Sequence, residues 1–161
     1  MSKPGQYERE DDLGAILRRI QHYCAYQERC NHEVDTKLMA WKVSPAKTKK
    51  IKHSLSEDGY INEERYARLF VRSKFHVNKW GRAKIRYELK SRNIPEELIP
   101  KAMEEIGDDD YMATIRELIL KKLSEINTGK HLSVREKIIT FVTGKGFEFD
   151  LILNVLNELK I

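Results

Sequence analysis

Apolar residues recur along this chain at spacings of three and four. Ile16, Ile20 and Tyr23 form one stripe, and Tyr66, Leu69, Phe70 and Val77 form another with small Ser73 inside it. Ile115, Leu118, Ile119 and Leu123 continue the theme around Lys122. Leu98, Ala102 and Ile106 repeat every four residues, as do Leu151, Val155 and Leu159. Side chains three and four apart share one face of a helix, so each stripe predicts a helix with one buried side. No segment sustains the apolar–polar alternation of a half-buried strand, and the expected fold class is all-α.

Punctuation between the stripes supports this reading. Gly59, after Leu55-Ser56-Glu57-Asp58, supplies the left-handed residue that closes a helix. Asn62-Glu63-Glu64 reads as a cap followed by an acidic first turn. Ser133 and Glu136 are spaced for a capping box, in which each side chain satisfies a free amide near the other residue. Pro95 is placed in a first helical turn, where an N–H has no partner to lose. Asp108-Asp109-Asp110 is read as preceding a further helix, with the sign of charge that its positive end favours.

The pattern also repeats. Val34, Leu38, Val43, Ile51 and Leu55 shift by 51 residues onto Ile85, Leu89, Ile94, Ala102 and Ile106. A further shift of 53 reaches Ile138, Val142, Phe147, Val155 and Leu159. All are apolar, and each unit reads long helix, turn, short helix, turn, third helix. Three tandem three-helix repeats follow, at residues 13–61, 62–107 and 108–161, after a polar tail at 1–12. A unit of this size buries little surface alone, and stacked neighbours share apolar faces, so an elongated, curved body is expected. The first unit has drifted most: Lys47 stands where the others have Leu98 and Leu151.

Composition narrows the function classes. With 34% charged and 40% apolar residues in 161, the chain is highly charged yet patterned as a folded one. No apolar run approaches the roughly 20 residues that cross a bilayer. Met1 to Asp12 lacks a signal-peptide core, and a cytoplasmic protein that avoids membranes is expected. Cys24 and Cys30, near His22 and His32, read as free thiols rather than a metal site, which needs about four ligands at tight spacing. Gly144-Lys145-Gly146-Phe147 is too short for a phosphate loop and reads as turn glycines. Scattered carboxylates such as Glu104 and Glu105 sit near basic residues on solvated faces. Neither an enzyme nor a cofactor is expected.

Basic residues say more. The formal charge is +5 and the isoelectric point about 9.1, which suits a polyanionic partner. Arg65, Arg68 and Arg72 share one helical stripe, as do Arg82, Arg86 and Lys90, with Lys84 and Arg92 flanking. Lys79 and Trp80 lie between the two helices, and Trp80 suits either packing or an interface anchor. A further cluster, Lys47, Lys49, Lys50 and Lys52, wraps too much of its helix to define one face. A basic stripe is the ordinary outer side of an amphipathic helix. It also fits an acidic surface or a phosphate backbone, where neutralised phosphates release counterions.

The stretch Gly59-Tyr60-Ile61-Asn62-Glu63-Glu64-Arg65-Tyr66-Ala67 resembles the hinge between the first two repeats of the RecX family of recombinase regulators. Lys79-Trp80-Gly81-Arg82-Ala83-Lys84-Ile85-Arg86-Tyr87-Glu88-Leu89, followed by Ile94, resembles that family's signature helix, and Lys145-Gly146-Phe147 its last basic-Gly-Phe turn. The resemblance covers about residues 13 to 161 and is most specific in the middle unit. In the first repeat, Arg29-Cys30-Asn31 and Lys37-Leu38 depart from the family's pattern. The resemblance implies a regulator that binds the RecA filament on DNA, blocks its growth, promotes its disassembly and thereby acts on recombination, repair and the SOS response. Some members also bind DNA, single- or double-stranded. Attachment is assigned to Arg68, Arg72, Lys79, Arg82, Lys84, Arg86 and Lys90, with none catalytic, and a monomer is expected. The alternative is a free-standing DNA-binding protein with a helix-turn-helix-like unit.

Overall fold

A computed structural model describes residues 10–126 and 133–161. The expected tail at 1–12 falls mostly outside the described residues, as does the stretch 127–132 within the third expected repeat. The described residues are helical without strands: α1 (Glu10–Tyr26), α2 (Asn31–Ala40), α3 (Pro45–Glu57), α4 (Glu63–His76), α5 (Arg82–Ser91), α6 (Leu98–Met103), α7 (Asp108–Glu125), α8 (Val134–Gly144) and α9 (Phe149–Glu158). They fall in three successive triplets, each opened by its longest helix. All of the repeat-matched apolar positions are buried except Val43 and Leu159, which are half-buried.

The chain forms two compact units, one up to Tyr66 and the other from Ala67 to Ile161. In the first, Ile20 and Cys24 of α1 meet Val34 and Leu38 of α2, Ile51 and Leu55 of α3, and Ile61. Local chemistry sets the helix ends there. Ser44 Oγ accepts from Lys47 N–H at 3.4 Å to open α3, with Pro45 at its first position. Glu33 reaches back to accept from Cys30 N–H at 3.0 Å and caps α2. Gly59, at φ 74°, turns the chain out of α3. Asn62 Oδ1 accepts from Arg65 N–H at 2.8 Å and starts α4, as its sequence predicts.

In the second unit, α7, α8 and α9 pack mutually, and α5 packs on α6. The Ser133–Glu136 capping box forms with both bonds in place. Three expectations need correction. The buried face of α4 is Ala67, Val71 and Phe75 with Tyr66, whereas Leu69 and Val77 are 47% and 76% exposed. Several apolar residues ring this helix, so periodicity alone selects the wrong row, and packing decides which row turns inward. Pro95 lies in the turn before α6, which begins only at Leu98. The three aspartates form the first turn of α7 itself, after Gly107.

Candidate functional site

The expected basic residues are placed by α4, α5 and the turn between them, and most are already partnered. Arg68 lies 3.1 Å from Glu105 and 3.6 Å from Glu104, and Arg72 Nε is 3.0 Å from Glu105. Glu104 and Glu105 thus belong to an ion-pair cluster with α4. Lys79, at φ 55° in the turn, reaches Glu117 at 3.3 Å. Lys84 sets its ammonium 4.4 Å from the centre of the Trp80 ring, and Lys74 sits 5.0 Å from the same ring. Lys90 pairs with Glu96 at 3.2 Å. Arg86 is exposed and makes no ion pair among the described residues.

Arg82 is held differently. Its guanidinium lies 2.7 Å from Asp108 and 4.0 Å from the centre of the Tyr111 ring, and its N–H donates to Tyr111 Oη at 3.0 Å. Tyr111, fully buried, donates in turn to Glu148, the residue that precedes α9. Its ring is flanked by Phe75 and Phe147 at 5.8 and 5.0 Å. Burial, reinforced by the bond to Glu148, holds the Tyr111 phenol well above the usual tyrosine range. The stripe of Arg82, Arg86 and Lys90 therefore divides: Arg82 turns onto α7, while Arg86 and Lys90, with Tyr87 at 70% exposure, face outward.

The turn that opens α5 is fixed by a backbone crossing. Gly81 N–H donates to Lys145 C=O at 2.7 Å, and Ala83 N–H to Gly146 C=O at 3.1 Å. A Cβ on Gly81 would lie 2.2 Å from the Gly146 carbonyl. Gly146 is legible in the sequence as a turn residue, but its close approach to Gly81 carries no sequence signal.

A second cluster escapes the repeat analysis altogether. Arg18, Arg19, His22, Tyr23 and Tyr26 of α1 converge with Trp41, which follows α2, around an open concavity. Arg18, His22 and Tyr26 recur every four residues, a signal masked by the apolar stripe beside them. Elsewhere in the unit, burial pushes the thiols of Cys24 and Cys30 up to about 11. Among the described residues, no three His, Cys, Asp or Glu side chains gather to hold a metal ion.

Residues 62–103, spanning α4 to α6, match the family model described as RecX, second three-helix domain. Regulatory protein RecX of Bacillus cytotoxicus is 32% identical over 151 residues, covering 94% of this chain and 56% of that protein. The chain is similar to the RecX family. Regulatory protein RecX of Lactobacillus delbrueckii subsp. bulgaricus is 28% identical over 85% of this chain and 51% of its own length. The chain therefore spans about half the length of the curated relatives it matches. A crystal structure of RecX from Lactobacillus salivarius shares the fold, with a TM-score of 0.83 at 23% identity over 94% of this chain and 99% of that one. Another crystal structure, of a regulatory protein RecX, gives 0.83 at 20% identity over 98% and 82%. The matched segment 62–103 contains the candidate residues from Arg68 to Lys90. No helix among the described residues is long and apolar enough to cross a membrane.

Proposed function

We propose that this chain is a negative modulator of RecA that acts by stoichiometric binding to the RecA–DNA filament, without turnover of its own. In this reading it blocks filament extension and promotes disassembly, and so acts on recombination, repair and the SOS response. It works in the cytoplasm as a monomer. The units assigned to it are 13–61, 62–107 and 108–161, with the binding face on the middle one.

The observation that carries the reading is the outward face of α5, where Arg86, Tyr87 and Lys90 stand together in the segment that matches the family. Exposed ion pairs are worth about 0–1 kcal/mol. Arg68 and Arg72 hold the half-buried Glu105 and would release it at greater cost, whereas Lys79 and Lys90 can exchange their carboxylates for acidic groups of the filament or for DNA phosphates at little cost. Lys84, held over Trp80, can do the same. Arg82 contributes mainly by fixing α5 against α7, so a charge reversal there would confound folding with binding.

The test is the double variant Arg86→Glu/Lys90→Glu, titrated into RecA's DNA-dependent ATPase. Like charge set against an acidic surface costs several kcal/mol, so at least about ten-fold more protein should be needed for half inhibition. Helicity should stay as in the parent. Inhibition at parental concentrations would remove the α5 face from the mechanism. Tight, sequence-dependent DNA binding in the absence of RecA would instead favour a free-standing DNA-binding protein.

A further inference from the structure

We propose that the first compact unit carries a separate binding site for an unpaired stretch of nucleic acid, at the concavity formed by α1 and Trp41. The concavity measures about 540 Å³ and is lined by Arg18, Arg19, His22, Tyr23, Tyr26 and Trp41. That volume lies within the range of about 300–1,000 Å³ typical of ligand pockets. Its lining consists of three basic side chains and three aromatic ones, with no carboxylate. Such a lining repels cations and attracts anions.

The rings select among anions. Tyr26 is 81% exposed, which is far more than a lone aromatic at a helix end needs for packing. The Arg19 guanidinium lies 4.0 Å from the centre of the Trp41 ring, extending that ring with a second flat surface. Tyr23 is covered by the Arg29 guanidinium at 3.9 Å, itself paired with Glu33 at 3.8 Å, and by Lys37 at 5.1 Å. Bases stack on aromatic rings and on arginine planes, while the phosphates between them seek the neighbouring cations. Single strands offer both features; in a duplex the base faces are already stacked on one another. An acidic peptide would satisfy the charges but would leave the open Tyr26 ring without a counterpart.

The site lies in the first compact unit, whereas the α5 face belongs to the second. Arg18, His22 and Tyr26 follow one another by a turn of α1, so a strand lying along that helix would meet a guanidinium, an imidazole and then an open ring.

The experiment uses the full chain and fluorescein-labelled oligo(dT), oligo(rU) and a duplex of equal length, read by anisotropy across a salt series. Tyr26→Ala should weaken single-strand binding by about five-fold or more, since a base–aromatic stack is worth about 1–3 kcal/mol. Tyr26→Phe should bind as the parent does. Arg18→Ala/Arg19→Ala should flatten the salt slope by about 1.4, because each single-strand phosphate left without its arginine lowers the slope by about 0.7. Equal losses on DNA and RNA support a site for either strand, and a loss on one of them assigns the source. The Tyr26→Ala effect should persist in the Arg86→Glu/Lys90→Glu background, whatever becomes of RecA inhibition. Parental binding by both the Tyr26→Ala and the double-arginine variants would overturn the proposal. So would a duplex that binds as tightly as the single strands and loses as much in Tyr26→Ala, or a poly-glutamate peptide that binds where the oligonucleotides do not.

Discussion

Gly81 and Gly59 are both turn glycines, yet they are glycine for different reasons. Gly59 holds φ 74° with nothing within 4 Å of an added Cβ. Replacing it by alanine costs only the left-handed conformation, roughly 1–2 kcal/mol. Gly81 has an ordinary φ of −77°, but its Cβ would meet backbone, the Gly146 carbonyl at 2.2 Å. Backbone cannot rotate away, so Gly81→Ala must push the two turns apart and weaken the bonds from Gly81 and Ala83. Overpacking of this kind costs roughly 1–3 kcal/mol and can cost more. Urea unfolding should therefore show a larger drop in midpoint for Gly81→Ala than for Gly59→Ala, the reverse of what φ alone suggests. The cysteines give a second residue-scale expectation. Cys24 and Cys30 are buried, and their thiols are pushed up to about 11, chiefly by desolvation. Alkylation proceeds through the thiolate, so iodoacetamide at neutral pH should leave both unmodified in the folded chain and label both in urea, by mass.

Among elements, Tyr111 does for α5, α7 and α9 what no single helix cap could. From α7, its hydroxyl accepts from the first amide of α5 and donates to Glu148 at the start of α9. Tyr111→Phe keeps the packing against Phe75 and Phe147 but leaves a half-buried N–H and a carboxylate short of a partner. A hydrogen bond to a charged group is worth about 1.5–3 kcal/mol, and a loss of that order is expected by denaturant titration. Linkage gives the pH signature. The folded pKa of Tyr111 lies above its unfolded value near 10, so the folded state keeps the proton longer. Its contribution is fully present below about pH 10 and is lost as pH rises beyond it. The parent should lose stability there with a steeper slope than Tyr111→Phe, which has no phenol to ionise.

At the scale of the whole molecule, a formal charge of +5 arises from 30 lysines and arginines against 25 carboxylates, and most of the candidate cations on α4, α5 and their turn have a carboxylate within reach. The α5 face differs in composition rather than in total charge: Arg86 is unpaired among the described residues, and Tyr87 stands beside it. Attachment through such a face should weaken steeply with salt, because exposed charges are screened within about 10 Å at 0.1 M. The Arg86→Glu/Lys90→Glu titration is decisive at this scale, since it changes the sign of one face while leaving both compact units intact.

The amino-acid sequence by itself determined the helical class, the triplet order and the repeated core positions, because those follow from spacing along one helix and from local caps such as Asn62 and Ser133. It also singled out the α4–α5 segment that matches the RecX family model. It did not determine which row of α4 is buried, since Leu69 and Val77 are as apolar as the Val71 and Phe75 that replace them inside. Nor did it distinguish Arg82, bound to Asp108 and Tyr111, from Arg86 on the same stripe. The Gly81–Gly146 crossing and the aromatic–basic concavity at Trp41 join residues far apart in the chain or on adjacent elements. Local periodicity carries no information about such meetings; only tertiary packing brings those atoms together.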